Sequence, residues 1–396
     1  MQGMKKYLKL FGLAPKFRRT DYVELKMSLY FHTVLYSMGF LLAAGSQAYG
    51  QDNCQTECPC PCPPRFEQGL GLCPNSYPAA YNAPARIDVE DCMDIDLYGS
   101  FLYWHVSQEW MDLGCESVIS TGLPFEPVIQ PFDYKPGFKV GFGFNIGSDD
   151  WNFFSEYTRL HQQTTFSETL PTGFYWNPTN WIFPTLSDTY FPSTMNSKWK
   201  MHFDLLDVGF SRPYYQGKQL TVAPYGAVRG LLITQYMLLE TNPNQLNRAT
   251  ATTRSRCWAV GPNAGLASHW LIGSGFRLEG MASGSLLFTR YTKLSQHTFA
   301  AALATAPGGG GTDTTIIGSM TDYDVLRPAL ELGIGFGWGS YFGCGKWYMD
   351  LSARYDFLNF WNQNMIRGFD FLITTVGLSA ESLQMHGLTA TARFDF

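Results

Sequence analysis

From about residue 94 onwards, the chain alternates between apolar and polar residues with a period of two. In "GFKVGFGFNIG" (137–147), Phe138, Val140 and Phe142 fall on one side of an extended chain. Lys139 and the glycines fall on the other side. "FRLEGMASGSLLF", "RPALELGIGFGW" and "WYMDLSARYDF" follow the same pattern. Helical spacing would scatter each set around a cylinder, so the pattern predicts β-strands with one apolar and one polar face.

Ten segments carry this pattern, at about 94–107, 136–147, 151–162, 198–212, 219–236, 255–269, 275–290, 325–339, 346–360 and 383–396. Most of them are longer than the about 9–11 residues that a tilted transmembrane strand needs. In the segment 198–212, the apolar residues move from one face of the strand to the other midway. An extra residue in the strand would explain this change, so we predict a β-bulge there.

The connections between these segments alternate between short and long. Turn-like connections fall at 147–150, 214–218, 271–275 and 340–346, and long ones at about 108–135, 163–197, 237–254, 291–324 and 361–382. Outer-membrane barrels have tight turns on the periplasmic side and long loops outside, and the bacterial ones have an even number of strands. The predicted fold is therefore all-β, an antiparallel transmembrane β-barrel of about ten strands, with twelve as the alternative.

The chain ends in a strand, "LTATARFDF", that alternates up to its last residue. We predict that it closes the barrel by pairing with the strand near 94–107, which leaves no free edge. Leu388, Ala390 and Phe394 would then face lipid, and Arg393 and the threonines would face the lumen. The termini of the barrel would lie on the short-turn side.

Composition supports this class of protein. Aromatic residues make up 16% and charged residues 15% of the 396 residues, with 39 glycines; soluble domains carry about 25% charged residues. The mean hydropathy is −0.12, which excludes a bundle of membrane helices. Many aromatics, many glycines and few charges are typical of a barrel whose two faces meet different solvents.

Residues 1–50 are predicted to be a signal peptide. A basic lead is followed by an apolar core at 34–44 and then by small residues suited to cleavage, and Met27 is an alternative start. The remaining chain has 21 basic and 31 acidic residues, a net charge of −10. This charge argues against nucleic acid as a partner.

Residues 51–93 form a segment rich in Cys and Pro, which we predict to be periplasmic and outside the barrel at 94–396. Its disulfide candidates are Cys54, Cys58, Cys60, Cys62, Cys73 and Cys92. Disulfides are the default in an exported protein, and the odd total of 9 cysteines leaves at least one thiol free or bonded to another chain. Zinc binding is the alternative role for Cys58, Cys60 and Cys62, but the alternating prolines disfavour it, so we predict no metal.

Charged residues recur on the polar face of the predicted strands, which in a barrel is the lumen. They are Lys139, Lys200, Arg229, Arg277, Glu279, Arg327, Glu331, Asp350, Arg354, Asp356, His386 and Arg393. They could line an ion-selective pore. They could equally form a salt-bridged plug, as in small closed barrels. Sequence alone leaves both interpretations open.

No catalytic motif is recognisable. The chain has no G-x-S-x-G, Walker A or HExxH sequence. "GFGFNIG" and "GIGFGWG" imitate nucleotide-binding loops, but their glycines alternate with apolar residues inside strands and do not open a helix. We therefore expect no enzymatic activity and no cofactor. An outer-membrane enzyme using His161 or His297 near the loop rim is a minor alternative.

Four stretches resemble the major-outer-membrane-protein-like, pore-forming proteins of Legionella and chlamydia-like bacteria. They are "DIDLYGSFLYWHVSQEWMDLG", "YKPGFKVGFGFNIGSDDWNFFSEYTRLH", "WYMDLSARYDFLNFWNQNM" and "HGLTATARFDF". The resemblance covers roughly 94–396 and implies a porin-like channel. It also implies that Phe394 and Phe396 form the C-terminal signal read by the barrel-assembly machinery. The Cys/Pro segment is similar in cysteine usage to chlamydial envelopes, which implies disulfide links to other Cys-rich envelope proteins.

The expected location is the outer membrane of a Gram-negative bacterium, with outer-membrane lipid as the surroundings. The expected function is a porin-like channel for small hydrophilic solutes, with a disulfide link into the cell envelope as an additional hypothesis. The alternative is a closed barrel that acts as a surface adhesin or structural envelope protein. A soluble exported β-sandwich is a further alternative, which the strict alternation of turns and loops disfavours.

Overall fold

A computed structural model describes residues 85, 87, 89, 95–120, 124–146, 151–177, 192–242, 248–300, 314–343, 345–366, 370–372, 375–377 and 380–396. All of them belong to one unit of the chain, Pro63–Phe396. The predicted signal peptide and the six disulfide candidates lie outside the described residues and remain predictions. Within the described ranges, no helix is long and apolar enough to cross a membrane.

The described residues form strands connected by turns and loops. The strands are β1 (Ile95–Gln108), β2 (Asp112–Val118), β3 (Pro124–Ile129), β4 (Tyr134–Ile146), β5 (Trp151–Thr169), β6 (Phe174–Asn177), β7 (Thr194–Ser211), β8 (Tyr214–Gln216), β9 (Leu220–Thr241), β10 (Ala249–Gly273), β11 (Phe276–Ala300), β12 (Thr314–Met320), β13 (Tyr323–Phe342), β14 (Trp347–Asn364), β15 (Asp370–Leu372), β16 (Thr375–Gly377) and β17 (Glu381–Asp395).

Ten of these strands close into an antiparallel barrel. Their order around it is β1, β4, β5, β7, β9, β10, β11, β13, β14 and β17, and β17 pairs with β1. The prediction of a ten-stranded barrel is confirmed. Most of the short strands lie on its loop side. There β2 pairs with both β3 and β6, β12 pairs with β11, and β15 pairs with β16.

The strands run further towards the loops than the sequence predicts. The predicted loop at 237–254 shrinks to the residues between Thr241 and Ala249, because β9 and β10 continue past the predicted ends. β10 and β11 have 25 residues each. At about 3.3 Å per residue and a tilt of about 40°, such a strand spans about 60 Å, against an apolar band of about 25 Å. The barrel therefore extends well beyond the membrane on its loop side.

The outer face carries an apolar band between two rings of aromatic side chains. Outward residues such as Phe142, Leu232 and Ile334 are exposed along its middle. Trp151, Trp270 and Trp347 face outward at the turn end, and Tyr103, Tyr157, Trp258 and Tyr355 at the loop end. Aromatic girdles of this kind mark the two membrane interfaces of a barrel.

The predicted bulge in 198–212 is wrong. β7 pairs with β5 and β9 without a register shift from Thr194 to Ser211. Trp199, Met201 and Phe203 are buried inside the barrel, whereas Leu206 and Phe210 face outward. The apolar residues change face because the interior of the barrel is apolar on the loop side. A register shift does occur in the pairing of β10 with β11, between Arg256 and Cys257.

The two ends of the barrel sequence meet at the seam between β1 and β17. Leu102 lies opposite Thr389, and Leu97 lies opposite Phe394. The backbone N–H groups of Ile95 and Phe396 each donate to the other residue's carbonyl oxygen at 3.0 Å. The prediction that the last strand closes the barrel is therefore confirmed.

Replacing Gly387 by Ala should weaken this seam. A Cβ on Gly387 would lie 2.2 Å from the carbonyl oxygen of Tyr103 and 2.8 Å from the Cα of Trp104. We expect a loss of about 2 kcal/mol in the free energy of unfolding, since overpacking displaces the backbone. The heat-dependent gel shift and denaturant unfolding in detergent measure this. Gly99→Ala is the matched control, because nothing lies within 4 Å of a Cβ there. Equal losses in both variants would contradict the prediction.

Candidate functional site in the barrel lumen

Most of the predicted lumen charges do point into the barrel. The structure places ten of them on inward positions: Lys139, Arg229, Arg277, Glu279, Arg327, Glu331, Asp350, Arg354, Asp356 and Arg393. Eight are buried, and Arg354 and Arg393 are partly exposed. Nine of them fill the turn-side half of the interior, whereas Arg327 lies in the loop-side half, where its Nη2 is 3.6 Å from Sδ of Met365.

Lys200 and His386 depart from the prediction. Lys200 lies between the buried residues Trp199 and Met201, so its side chain points out of the barrel. His386 also points outward, where its Nδ1 lies 2.6 Å from the hydroxyl of Tyr355. His386 shares the two-residue period of Leu388 and Ala390, which were predicted to face lipid, so its assignment to the lumen was wrong on the pattern itself. Lys200 was assigned inward on the rule that the apolar face is the outer face. That rule fails on the loop side, where the inner face is apolar as well.

Glu331 joins charges from widely separated strands. Its Oε2 accepts a hydrogen bond of 2.8 Å from Nη2 of Arg229, and its Oε1 lies 3.6 Å from Nζ of Lys139. Glu331 is on β13, Arg229 on β9 and Lys139 on β4. β9 lies three positions and β4 four positions from β13 around the barrel. Arg229 also binds Asp207 with two hydrogen bonds of 2.8 and 2.7 Å. This cluster therefore crosses the lumen instead of lining one wall.

A second branch of the network connects β14, β17 and β1. Arg354 pairs with Asp356 at 2.5 Å, and the Thr389 hydroxyl donates to Asp356 at 2.6 Å. The indole N–H of Trp104 donates to Thr389 Oγ1 at 3.1 Å, and Lys139 lies 5.5 Å from the Trp104 ring centroid. The charged layer is thereby tied to the first buried aromatic residue above it.

The turn-side rim holds two further ion-pair groups. Arg277 binds Glu279 at 2.6 Å and also contacts Asp350. Arg393 donates to Asp395 at 2.9 Å. Asp96, Glu156, Asp207 and Asp395 belong to the same networks but were missed by the sequence analysis. Each lies on an inward position of the two-residue period, which is the signal that could have found them.

An apolar layer closes the loop-side half of the lumen. Phe203 on β7 and Phe360 on β14 meet edge to face with 5.7 Å between ring centroids. Their strands are five positions apart among the ten, which is directly across the barrel. Both side chains are at most 1% exposed. The surrounding layer includes Leu102, Trp104, Trp199, Leu231, Ile233, Tyr291 and Met385.

The loop between β3 and β4 covers this layer. Phe132 packs edge to face on Trp199 with 5.1 Å between centroids. The Gln130 side chain is buried, donates to Thr164 Oγ1 at 3.0 Å and accepts a hydrogen bond from Ser197. The β3–β4 loop thus covers the loop-side opening of the barrel, in addition to the side chains that fill the lumen below it.

The small loop sheet above the barrel is acidic. Burial, followed by the charges of Glu168 and Glu126, raises the pKa of Glu116 on β2. Glu116 and Glu126 lie opposite each other in the pairing of β2 with β3. The small loop sheet thus brings several carboxylates close together at the loop-side end.

The interior contains paired charges on the turn side and apolar contacts on the loop side, and together they fill the lumen.

The candidate reactive side chains do not form a metal-binding group among the described residues. Cys257 is buried and accepts a hydrogen bond of 3.2 Å from the Gln363 side chain. In the part of the chain that the structure describes, no group of three or more His, Cys, Asp or Glu side chains could hold a metal ion. His161 and His297 face outward on exposed positions, and the His161 ring stacks on that of His202 at 4.2 Å.

A family profile described as the Legionella pneumophila major outer membrane protein precursor matches residues 93–396. The chain belongs to this family. The match covers the whole barrel and confirms the resemblance seen in the sequence. A protein of this family with this fold is located in the outer membrane of a Gram-negative bacterium. No curated protein sequence matches the chain.

Solved structures with a similar arrangement are outer-membrane proteins. The outer membrane protease OmpT from Escherichia coli is 7% identical, with 76% of this chain and 96% of that chain covered and a TM-score of 0.37. The toluene transporter TodX from Pseudomonas putida is 10% identical, with 76% and 89% covered and a TM-score of 0.25. A FadL homologue from Pseudomonas aeruginosa is 9% identical, with 83% and 95% covered and a TM-score of 0.24. Similarity this low carries no argument about activity.

Proposed function

We propose that this family member is a closed outer-membrane barrel that holds its loops above the membrane as a structural and adhesive surface. The observation that carries the proposal is the contact between Phe203 and Phe360 across the lumen. Below this contact, Glu331 on β13 reaches across the lumen to Arg229 on β9 and Lys139 on β4. Two successive layers would each have to move before a solute could pass.

Barrel size supports the same conclusion. A barrel of eight strands has an interior just wide enough for side chains to fill, whereas porins with 16–18 strands leave an aqueous channel. Ten strands lie near the filled end of this range. The interior residues here include large side chains such as Trp104 and Trp199, which are fully buried.

The length of the strands supports the surface role. β10 and β11 continue beyond Trp258, which marks the loop-side aromatic ring, and carry polar outward residues there. A filled barrel that extends past the membrane is a rigid support for its loops. Its loop end would be the part that meets other cells or the surrounding medium.

Purified protein should give no steady conductance in planar lipid bilayers. Liposomes containing it should swell in small sugars no faster than protein-free liposomes, because both layers exclude solvent. The heat-dependent gel shift confirms in the same sample that the barrel is folded and inserted. Cells that lack the protein should lose adherence to host surfaces or resistance to detergent. Regular conductance steps with the folded wild-type protein would contradict closure.

A channel for small hydrophilic solutes is the second candidate function. It is favoured by the charged inward positions that occupy the turn-side half, which resemble a pore lining. It requires the apolar layer around Phe203 to move aside. Conductance with a measurable reversal potential in a salt gradient would support this candidate over the closed barrel.

A further inference from the structure

The outer wall of the barrel carries a basic patch directly above the loop-side aromatic ring. Its members point outward from three strands and have exposed or half-exposed side chains. They are Lys198, Lys200 and His202 on β7, Arg254 and Arg256 on β10, and Lys293 on β11. We call these six residues the basic patch.

Register places the members of the basic patch side by side. Tyr236 on β9 lies opposite both Lys200 and Arg254, and Thr234 lies opposite both His202 and Arg256. Neighbouring strands are about 4.8 Å apart, so Lys200 and Arg254 flank Tyr236 with their backbones about 10 Å apart. On the far side of Arg256, Lys293 continues the row on β11.

The lysines and arginines of the basic patch form no ion pair with any other residue that the structure describes. Within the described residues, none of its lysines or arginines has a carboxylate within salt-bridge distance. The nearby acids are engaged elsewhere: Asp204 with Arg159 at 3.6 Å, and Asp324 with Arg290 at 2.6 Å. Glu240 faces outward at the upper edge of the patch on β9. Within the described residues, the five formal positive charges thus face two nearby acids that form no salt bridge, Glu240 and Asp322, of which Asp322 lies beside Arg290.

One member is already oriented for recognition. The Arg254 guanidinium lies over the Tyr236 ring at 5.4 Å from its centroid. Such stacking holds the planar group against the barrel wall while its N–H donors remain free. Arginine and lysine donors match the oxygens of phosphate groups.

The height of the basic patch identifies the partner. Trp258 belongs to the loop-side aromatic ring, and Arg256 and Arg254 follow it at the next two outward positions towards the loops. This level is where the headgroups of the outer leaflet begin. The outer leaflet of a Gram-negative outer membrane consists of a phosphorylated glycolipid, lipopolysaccharide. We propose that the basic patch binds the phosphate groups of this lipopolysaccharide on the outer wall of the barrel.

Binding of lipopolysaccharide to the purified, folded protein in detergent tests the proposal. Wild-type protein should bind intact lipopolysaccharide, and should bind the same lipid after removal of its phosphates at least tenfold more weakly. The variant Lys200→Gln/Arg254→Gln should lose at least tenfold in affinity for the intact lipid. Raising the salt concentration should weaken wild-type binding more than binding by the variant.

Two further variants separate the basic patch from general effects of charge and folding. Lys218→Gln/Lys346→Gln removes two exposed cations from the turn side and should change affinity less than twofold. Lys200→Arg/Arg254→Lys keeps the charge and should restore most of the binding. The proposal is overturned if the two neutralised variants bind alike, or if phosphate-free lipid binds as well as intact lipid. Displacement of the lipid by millimolar inorganic phosphate alone would also overturn it, since the site would then recognise free phosphate.

Discussion

Glu331→Gln is expected to lower the free energy of unfolding of the barrel by about 3 kcal/mol. Glu331 is only 3% exposed and accepts contacts from both Arg229 and Lys139. Glutamine has nearly the same shape, so packing is retained while the negative charge is lost. The two cations would then be buried with an excess of positive charge around them. Denaturant unfolding in detergent micelles, followed by tryptophan fluorescence, measures the change.

Asp324→Asn is the matched control for Glu331→Gln. Asp324 forms a bidentate pair with Arg290 through two hydrogen bonds of 2.6 Å, but on the exposed outer wall. Exposed ion pairs contribute little because water and salt screen them. We expect little change for this variant. Adding Lys139→Met to Glu331→Gln should recover part of the lost unfolding free energy, because it removes one of the two cations that have lost their carboxylate partner. Similar losses for Asp324→Asn and Glu331→Gln would contradict the cross-lumen network.

Phe203→Ala is expected to cost about 4 kcal/mol, which is in the range for removing a buried aromatic side chain from a packed core. The Phe203 side chain is fully buried and meets Phe360 across the lumen. The outer wall cannot collapse into the cavity, because a closed ring of backbone hydrogen bonds fixes its circumference. The loss in unfolding free energy is measured as for Glu331→Gln.

Two comparisons isolate the contact across the lumen. Phe210→Ala removes an equally large side chain from the same strand, but Phe210 is 45% exposed on the lipid-facing side. Its loss should be clearly smaller. A double-mutant cycle of Phe203→Ala with Phe360→Ala should give a coupling of about 1 kcal/mol, as aromatic pairs do. A coupling near zero would mean that the two rings do not meet.

The period-two pattern was sufficient to predict the barrel, because one buried and one lipid-facing side force alternation on each strand. It predicted the strands around Val140, Leu286 and Leu332 and the closing strand. It failed on β7, since Phe203 and Leu206 are both apolar and only one of them faces lipid. In a filled barrel, apolar residues occur on both faces, and polarity alone cannot assign the face.

The networks inside the lumen could be predicted only as a list of candidate charges. Arg229 pairs with Asp207 on the neighbouring strand and with Glu331 on a strand three positions away around the barrel. Which strands face each other depends on the register and tilt of the closed sheet. The loop strands β2, β3 and β6 were also missed. β2 is interrupted by Gly114, β3 by prolines, and β6 has only four residues, so the two-residue period is too brief to detect in each of them.

The seam between β1 and β17 also bears on how fast the protein can fold. Ser100 and Thr391 meet there with their hydroxyl oxygens 2.8 Å apart, although 291 positions separate them in the chain. Every other barrel pairing joins two of the ten barrel strands that are consecutive in the chain once the short loop strands are left aside. These hairpins can form locally and early. The seam cannot form until the whole sheet has curved round, and contacts between distant residues carry the largest loop-closure entropy. Folding should therefore be limited by a late step in which an open, curved sheet searches for its own first strand, and during that search both edges are exposed to other chains.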